Sequence, residues 1–232
     1  MENAAISDAL QAATIAFLGQ FVTDHKKELI ARILCQRTRH ITIALEDIYQ
    51  SQNASAVLRT CECYGLQQVH IIENENTYTL NRRVLKGAEK WMDILQYNQP
   101  GKNNTEACFQ SLEAQGYCIL ATVPTEGALP IASVDISQKV ALVMGNELNG
   151  LSEYALQHAH YKVKIPMYGF TESLNLSVST AICIHELMGK LKASSIDWGL
   201  SEAERKRIEL QWYKKLVRNS DVLEKHFLRS NA

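Results

Sequence analysis

Short apolar runs of strand type alternate with segments of helical periodicity through the middle of the chain, and this alternation limits the possible folds more than any other feature. The predicted strands are residues 41–45, 69–72, 91–97, 117–123 and 140–144. The predicted helices are residues 55–64, 105–114, 152–158 and 176–191. A helix between two strands carries the chain back to the starting edge, so the two strands can run parallel. The sequence therefore predicts an α/β fold, with a mostly parallel sheet and helices on both faces.

Both ends of the chain are predicted to form helical extensions of this core. Residues 1 to about 37 place apolar side chains without the alternation of a strand, and residues 201 to about 225 form a charged amphipathic segment. The apolar face of the second segment consists of Leu210, Tyr213, Leu216 and Val217. The predicted domains are an N-terminal helical extension at 1–40, an α/β domain at 41–196 and a C-terminal helical extension at 197–232.

The charge of the chain is nearly balanced overall but unevenly distributed. The formal net charge is −1, with 24 Lys and Arg against 25 Asp and Glu. Residues 23–40 hold five basic against two acidic side chains, residues 197–232 hold eight against six, and residues 41–196 hold eleven against fifteen. Basic flanks are typical of a nucleic-acid footprint, and also of solvated faces of amphipathic helices, which are the commoner case. Charge alone leaves both interpretations open.

Signatures of several common site types are absent from the sequence. The six cysteines form no C-x-x-C pair and have no histidines at zinc-ligand spacing, so no metal site is predicted. Neither G-x-x-x-x-G-K-[ST] nor G-x-G-x-x-G occurs, which argues against a P-loop NTPase and an ordinary dinucleotide-binding fold. Neither H-E-x-x-H nor G-x-S-x-G occurs, which argues against the corresponding metalloproteases and hydrolases.

The composition indicates a cytoplasmic protein. The six cysteines are expected to be buried, reduced thiols. Glu2 and Asp8 lie where a secretory signal would carry basic residues. No apolar run approaches the roughly 20 residues that span a bilayer. The sequence therefore predicts neither secretion nor a membrane partner.

Three runs place polar residues and glycines where a predicted strand meets a predicted helix. They are Asn-Ala-Ser-Ala-Val-Leu-Arg-Thr at 53–60, Met-Gly-Asn-Glu-Leu-Asn-Gly-Leu-Ser at 144–152, and Ile-Pro-Met-Tyr-Gly-Phe-Thr-Glu-Ser-Leu-Asn-Leu-Ser-Val-Ser at 165–179. Such positions are where open α/β sheets usually contact ligands. We therefore interpret the three runs as candidate site segments.

The polar residues of the first run have two interpretations. Asn53 is either part of a site or the N-cap of the following helix, in which case its side chain would accept a backbone N–H. Arg59 lies in the second turn of that predicted helix, near the mouth of the same cleft. An arginine at such a position is otherwise most often half of a surface ion pair.

The second and third runs are ambiguous in the same way. Glu147 follows a predicted strand, and is either a site carboxylate near the sheet edge or a cap for the helix that begins near Ser152. Ser173 and Asn175 precede the next predicted helix. Capping accounts for one of these two residues but not for both.

Together the three runs resemble the signature of the SpoU (TrmH-type) RNA 2′-O-ribose methyltransferases of the SPOUT superfamily. That family is characterised by N-x-x-A-x-x-R-T, G-x-E-x-x-G-x-S and I-P-M-x-G-x-x-x-S-L-N-x-S-V, and every fixed position occurs here in the same order. The Gly-Ala-Glu-Lys-Trp segment at 87–91 is similar to one common in the tRNA-type branch. The resemblance extends over about 41–191. It implies a trefoil knot formed by about 140–191, and a homodimer through the knot region whose active site draws on both subunits.

The resemblance also implies an activity and a set of site residues. Family members transfer a methyl group from S-adenosylmethionine to a ribose 2′-hydroxyl of RNA. Arg59 matches the catalytic arginine, either as a base or, because a guanidinium stays charged, as a ligand of phosphate and of the developing alkoxide. The other polar positions of the family site match Asn53, Glu147, Ser173 and Asn175. The positions whose backbone holds the cofactor match Gly145, Ile165 and Leu174, and Thr122 is a further cofactor candidate.

The substrate that the resemblance implies is tRNA. Helical extensions at both ends resemble the branch that methylates the D-loop guanosine at position 18, although Ser51 and Gln52 stand where that branch commonly has Pro-His. The alternative enzyme is a 23S rRNA 2′-O-ribose methyltransferase. The alternative outside catalysis is an RNA-binding SPOUT protein without activity, against which the intact Arg59, Glu147 and Asn175 argue.

Overall fold

The computed structural model describes residues 8–79 and 81–230, so the helical prediction for residues 1–7 lies outside the described residues. The chain divides into two compact units. The sheet unit is Thr38–Trp198, and the terminal unit combines Met1–Arg37 with Gly199–Ala232. The helices of the terminal unit are α1 (Asp8–Gly19), α2 (Asp24–Leu34), α8 (Glu202–Leu216) and α9 (Ser220–Ser230).

The sheet unit is built on seven strands, and every pair of neighbouring strands is parallel. The strands are β1 (Ile41–Glu46), β2 (Gln68–Ile72), β3 (Asp93–Tyr97), β4 (Tyr117–Thr122), β5 (Leu129–Pro130), β6 (Lys139–Met144) and β7 (Tyr161–Lys164). Their order across the sheet is β3-β2-β1-β6-β4-β7-β5. The predicted α/β fold with a parallel sheet is therefore confirmed, and each of the five predicted strands overlaps one of the seven.

Helices cover both faces of the sheet, because successive residues of a strand point to opposite sides. The helices of this unit are α3 (Ser51–Cys63), α4 (Arg82–Leu85), α5 (Asn104–Ala114), α6 (Glu153–His158) and α7 (Leu176–Ala193). Ile43 and Leu45 of β1 belong to the core that α3, α4 and α7 cover. Ala44, between them, belongs to the second core, under α5 and α6.

Two strands at one edge of the sheet were not predicted. β7 is Tyr-Lys-Val-Lys, in which only Val163 is buried, and β5 is a two-residue strand that ends with Pro130. β7 is too polar and β5 too short to show a clear β pattern in the sequence. The strand predicted at 91–97 begins at Asp93, because Ala88–Trp91 forms a 3₁₀ turn instead.

The terminal unit contains two C-terminal helices where one was predicted. Val217 leaves the helical conformation, and Asn219 adopts a left-handed one (φ 58°), which asparagine tolerates better than most residues. The chain therefore turns between α8 and α9. The predicted apolar face is confirmed for Leu210, Tyr213 and Val217, which are buried, and is wrong for Leu216, which is 37% exposed.

The N-terminal and C-terminal segments share one core in the terminal unit. Helix α1 packs against α8 and α9, and α2 packs against α8. Phe17 of α1 stacks on Phe227 of α9, with ring centroids 4.6 Å apart. The Arg37 guanidinium lies over the Trp212 ring, 5.4 Å from its centroid.

All six cysteines are free thiols, and four of them are buried. The expectation of burial is wrong for Cys35, which ends α2, and for Cys63, which lies in the last turn of α3; both are exposed. Within residues 8–79 and 81–230, no helix is long and apolar enough to cross a membrane. The same residues contain no group of three or more His, Cys, Asp or Glu side chains that could hold a metal ion.

Candidate functional site

The three motif segments converge at the carboxyl edge of the central strands. Strands β1, β6, β4 and β7 are neighbours in a parallel sheet, so the segments that follow them lie at the same edge. The first motif lies on α3, which follows β1, the second motif follows β6, and the third follows β7. The topology therefore supplies the site with parts that are far apart in the sequence.

A chain of hydrogen bonds connects one side chain from each motif. The Asn53 side-chain amide donates to Glu147 Oε1 at 2.7 Å. The Asn175 side-chain amide donates to Asn53 Oδ1 at 3.2 Å. Asn175 Oδ1 in turn accepts from the backbone N–H of Ser177 at 2.9 Å and from its hydroxyl at 2.6 Å. We call Glu147, Asn53 and Asn175 the polar chain of the site.

Asn53 is a buried member of the polar chain and not a helix cap. Helix α3 begins at Ser51 with Gln50 as its N-cap residue, so Asn53 lies inside the first turn. Its side-chain amide also donates to the side-chain oxygen of Gln50 at 3.2 Å. The capping interpretation of Asn53 is wrong, because its amide and carbonyl groups bind Glu147 and Asn175.

Glu147 accepts a hydrogen bond on each of its carboxylate oxygens. Besides the bond from Asn53, Oε2 accepts from the backbone N–H of Tyr49 at 3.2 Å. Helix α6 is capped by Ser152, whose hydroxyl accepts from the Ala155 N–H at 3.1 Å. The interpretation of Glu147 as the cap of this helix is therefore wrong, and its carboxylate accepts from Asn53 and Tyr49 instead.

The second motif forms a closed turn that leaves no room for a side chain at Gly145. The backbones of Asn146 and Gly150 exchange two hydrogen bonds, of 2.8 and 2.9 Å. A Cβ atom on Gly145 would lie 2.4 Å from the carbonyl carbon of Gly150. The Asn146 side-chain amide donates to the backbone oxygen of Asp47 at 2.6 Å, which fastens the turn to the loop after β1.

The third motif supplies both a helix cap and an exposed hydroxyl. Asn175 is the N-cap residue of α7. Ser173, two residues earlier, is exposed and has no hydrogen-bond partner among the residues that the structure describes. Capping therefore accounts for Asn175 and leaves the Ser173 hydroxyl available for a ligand.

An open cleft adjoins the third motif. It has an empty volume of about 580 Å³, part of it open to solvent. Its lining includes four of the predicted site residues, namely Thr122, Ile165, Ser173 and Leu174. Further lining comes from Met144, Val163, Lys164, Met167, Glu172, Ser179 and Cys183. The cleft is thus largely apolar, with a few polar groups at one side.

Two polar groups of the lining, the Thr122 hydroxyl and the Cys183 thiol, are not available to react with a ligand. The Thr122 hydroxyl donates to the backbone oxygen of Val143 at 2.7 Å, so it fastens β4 to β6. Burial raises the pKa of the Cys183 thiol to about 12, so this thiol is protonated at neutral pH and contributes an apolar wall. Neither group offers a reactive nucleophile to a ligand.

Arg59 stands apart from the polar chain. It is exposed in the third turn of α3 rather than the second, because the helix begins earlier than predicted. Its side chain has no hydrogen-bond or ion-pair partner in the described part of the chain. The surface ion pair considered as its alternative role is therefore not formed with any described residue, and the guanidinium remains open to an anionic ligand.

Several residues at the site were not identified from the sequence, among them Gln50, Ser179 and Cys183. Ser179 and Cys183 line the cleft, and Gln50 contacts Asn53. Ser179 and Cys183 follow Asn175 at intervals of four residues, which places all three along one face of α7. Helical spacing could have identified these two, whereas Gln50 carries no comparable signal.

Comparisons with known sequences identify relatives of this chain. The sequence model of the SpoU rRNA Methylase family matches residues 40–185. A protein of Borreliella burgdorferi named tRNA (guanosine(18)-2′-O)-methyltransferase is 42% identical over 210 residues, which cover 90% of this chain and 94% of the relative.

Solved structures share the fold. A structure described as an A. aeolicus TrmH/SpoU tRNA modifying enzyme has a TM-score of 0.73 at 27% identity, over 84% of this chain and 98% of that one. An AdoMet-bound rRNA methyltransferase from Sinorhizobium meliloti has a TM-score of 0.58 at 25% identity, over 69% of this chain and 60% of that one.

Proposed function

This chain belongs to the SpoU methylase family, and on that premise we propose that it transfers a methyl group from S-adenosylmethionine to the ribose 2′-hydroxyl of guanosine 18 in the D-loop of tRNA. The observation that carries the proposal is the polar chain, because Glu147, Asn53 and Asn175 bring one polar side chain from each family motif to one place. The tRNA substrate is supported by the B. burgdorferi relative, whose 42% identity extends over 90% of this chain.

A ribosomal RNA substrate is the second candidate, and the extent of similarity favours tRNA over it. The A. aeolicus tRNA modifying enzyme matches 84% of this chain and 98% of its own. The S. meliloti rRNA methyltransferase matches 69% of this chain and 60% of its own. Similarity to the tRNA enzyme thus covers more of both proteins.

The cleft fits S-adenosylmethionine, the cofactor of this family. Its apolar lining suits the adenine ring and the methionine chain. Gly145, Ile165 and Leu174 hold the cofactor through backbone groups, with Thr122 in the lining. When bound, the cofactor supplies an electrophilic methyl group on its sulfonium. No metal takes part.

Arg59 binds an RNA phosphate and stabilises the charge that develops on the ribose 2′-oxygen. A guanidinium has a pKa above about 12 and therefore stays charged, which disfavours a role as general base. Its planar fork binds phosphate oxygens through two parallel hydrogen bonds. The exposed position of Arg59, without a protein partner among the described residues, supports this role.

The polar chain orients groups around the target ribose. The Glu147 carboxylate accepts two hydrogen bonds from the protein, so we assign it to the positioning of Asn53 rather than to proton removal. The hydrogen bond from the Asn175 amide to Asn53 Oδ1 fixes the orientation of both side chains. The Ser173 hydroxyl faces no protein acceptor among the described residues and is available to the substrate.

The same family membership leads us to propose a trefoil knot over about 140–191 and a homodimer through it. The dimer is supported by six exposed large apolar side chains on the knot segments, since exposed apolar surface can mark an interface. These side chains are Leu148, Met167, Tyr168, Phe170, Val178 and Ile182. Sedimentation analysis of the full chain tests the dimer.

A cytoplasmic location belongs to the same proposal. The proposed substrate is tRNA, and all six cysteines are free thiols, as is usual in reducing compartments. Oxidised thiols in protein isolated from cells would contradict it.

The decisive experiment supplies the protein with labelled S-adenosylmethionine and maps the methyl group in RNA. We expect one 2′-O-methyl group at guanosine 18 of a tRNA transcript, and none when that position carries adenosine. EDTA should leave the reaction unchanged. Methylation of 23S rRNA in place of tRNA would overturn the substrate, and the absence of any transfer would overturn the activity.

A further inference from the structure

A cluster of exposed basic side chains interrupts the acidic sheet unit. Residues 41–196 carry eleven basic and fifteen acidic side chains, whereas residues 81–91 carry four basic and one acidic. Arg82, Arg83 and Lys86 of this segment are exposed, and their side chains have no hydrogen bond or ion pair with any residue that the structure describes. We call these three residues the α4 patch.

The backbone that carries the α4 patch is held at both ends. The Asn81 side chain caps α4 and accepts from the Arg83 N–H at 3.1 Å. Leu85 is fully buried in the core of the sheet unit. Lys86 and Gly87 then adopt left-handed conformations (φ 53° and 86°), which end the helix. The fold therefore fixes the backbone positions of the three basic residues.

The α4 patch lies beside the helix that carries Arg59. The Asn81 N–H donates to the Ser55 hydroxyl at 2.9 Å and anchors α4 on α3. Ser55 and Arg59 are four residues apart, so they are neighbours on one side of α3. Helical side chains lean toward the preceding turn, which at Arg59 is the turn that holds α4. Arg59 and the α4 patch thus lie on two helices, α3 and α4, that pack against each other.

We infer that the α4 patch binds the phosphate backbone of tRNA next to the methylation site, an inference that rests on the proposed function. Like charges held close together without acidic partners repel one another, and an anion relieves this repulsion. Guanidinium groups bind phosphate oxygens in pairs. A polynucleotide presents several phosphates in a row, which matches several neighbouring cations better than a single small anion does.

The test compares two variants of the full chain that lose the same charge. The first is Arg82→Gln with Arg83→Gln. The control is Lys139→Gln with Lys192→Gln, at the start of β6 and in the last turn of α7, both exposed and both at the opposite end of their elements from the site. Binding of tRNA is measured at several salt concentrations, and circular dichroism checks the fold.

We expect the α4 variant to bind tRNA about tenfold or more weakly at low salt, with a salt slope shallower by about one unit for each phosphate that the variant no longer binds. The control variant should keep the affinity and slope of the wild type. If the wild type methylates tRNA but the α4 variant keeps its salt slope, the inference fails and the proposed function stands. If the wild type neither binds nor methylates tRNA, both fail.

Discussion

The surroundings of Arg59 indicate a role in ligand binding rather than in the stability of the fold. It is exposed and has no protein partner among the described residues, so the folded chain gains no evident stability from its charge. We expect Arg59→Ala to lower methyl transfer by about a hundredfold to a thousandfold, the usual cost of losing one donor to a developing oxyanion. Single-turnover transfer at saturating tRNA and cofactor measures this.

Two companion variants distinguish a phosphate ligand from a general cation. Arg59→Lys should also fail, because an ammonium does not reproduce the planar fork. Lys192→Ala removes an exposed cation in the last turn of α7 and should leave transfer intact. Calorimetry should find cofactor binding preserved in Arg59→Ala. Wild-type rates in that variant would remove Arg59 from the mechanism.

His70 makes the stability of the sheet unit depend on pH. It is fully buried in β2, and burial, followed by the nearby Arg39 charge, lowers its pKa from 6.5 to about 4. Both ring nitrogens are engaged, Nε2 by the Gln68 amide at 2.7 Å and Nδ1 by the Tyr97 hydroxyl at 3.0 Å. The folded state therefore holds His70 neutral where the unfolded chain would take up a proton.

The sign of the effect follows from the lowered pKa of His70. Above pH 6.5 the imidazole is neutral in both states, and stability is lost as the pH falls from 6.5 toward 4. We expect this residue alone to cost about 2–3 kcal/mol of unfolding free energy by roughly pH 4.5. Denaturant unfolding of the wild type and of His70→Gln at pH 7 and 4.5 isolates the contribution of His70 to the unfolding free energy. Equal pH slopes in the two proteins would contradict the assignment.

At the scale of elements, the turn after β6 depends on Gly145. A Cβ there would meet Gly150 backbone at 2.4 Å, and backbone cannot yield as a flexible side chain can. We expect Gly145→Ala to destabilise the protein by about 1–3 kcal/mol and to weaken cofactor binding, since the turn follows a strand that lines the cleft. Thermal melting and calorimetry measure the two effects.

Gly189 provides a matched control for that substitution. It lies in α7, and a Cβ there would meet nothing within 4 Å. Gly189→Ala should therefore stabilise the helix by about 0.5–1 kcal/mol and leave cofactor binding unchanged. If both alanine variants behaved alike, the close approach at Gly145 would not be the cause.

The elements that the sequence predicted correctly are those with strong patterns. The central strands are continuous apolar runs because both of their faces are covered, so β1, β4 and β6 were recognisable. Strand β7 lies near the sheet edge, and its pattern of one buried valine between lysines resembles a loop. The break before α9 depends on the left-handed Asn219, which helical periodicity does not reveal.

The contacts within the site could be anticipated only through the family resemblance. Asn53 is separated by 94 residues from Glu147 and by 122 from Asn175, and no local pattern indicates which polar residues pair. Local reasoning left capping open as an alternative for Asn53 and Glu147, and that alternative was wrong for both. Tertiary hydrogen bonds decided the role of each.

At the scale of the whole molecule, basic charge occurs in two places. The count of charges along the sequence indicated basic charge only near the ends of the chain. The basic residues of the α4 patch were counted with the whole 41–196 segment, whose total is acidic. The terminal unit also has exposed arginines, Arg207 in α8 and Arg218 after it, without partners among the described residues. Both places are therefore candidates for contact with the proposed tRNA.

Substitution tests the terminal unit better than truncation does. Removing residues 197–232 would expose the N-terminal helices, since Phe17 stacks on Phe227 and Arg37 lies over Trp212. A loss of binding after truncation would thus report unfolding as much as the removal of charge. Arg207→Gln with Arg218→Gln removes exposed charge and leaves these ring contacts in place.

We expect the Arg207→Gln, Arg218→Gln variant to bind tRNA more weakly, with a salt slope shallower by about one unit for each phosphate that is released. If one tRNA contacts both basic regions at once and the two regions contribute independently, combining this variant with Arg82→Gln and Arg83→Gln should add the two changes in slope. Affinity measured at four or more salt concentrations gives each slope. An unchanged slope would exclude Arg207 and Arg218 from RNA binding, and these two arginines would then belong only to the solvated surface of the C-terminal segment.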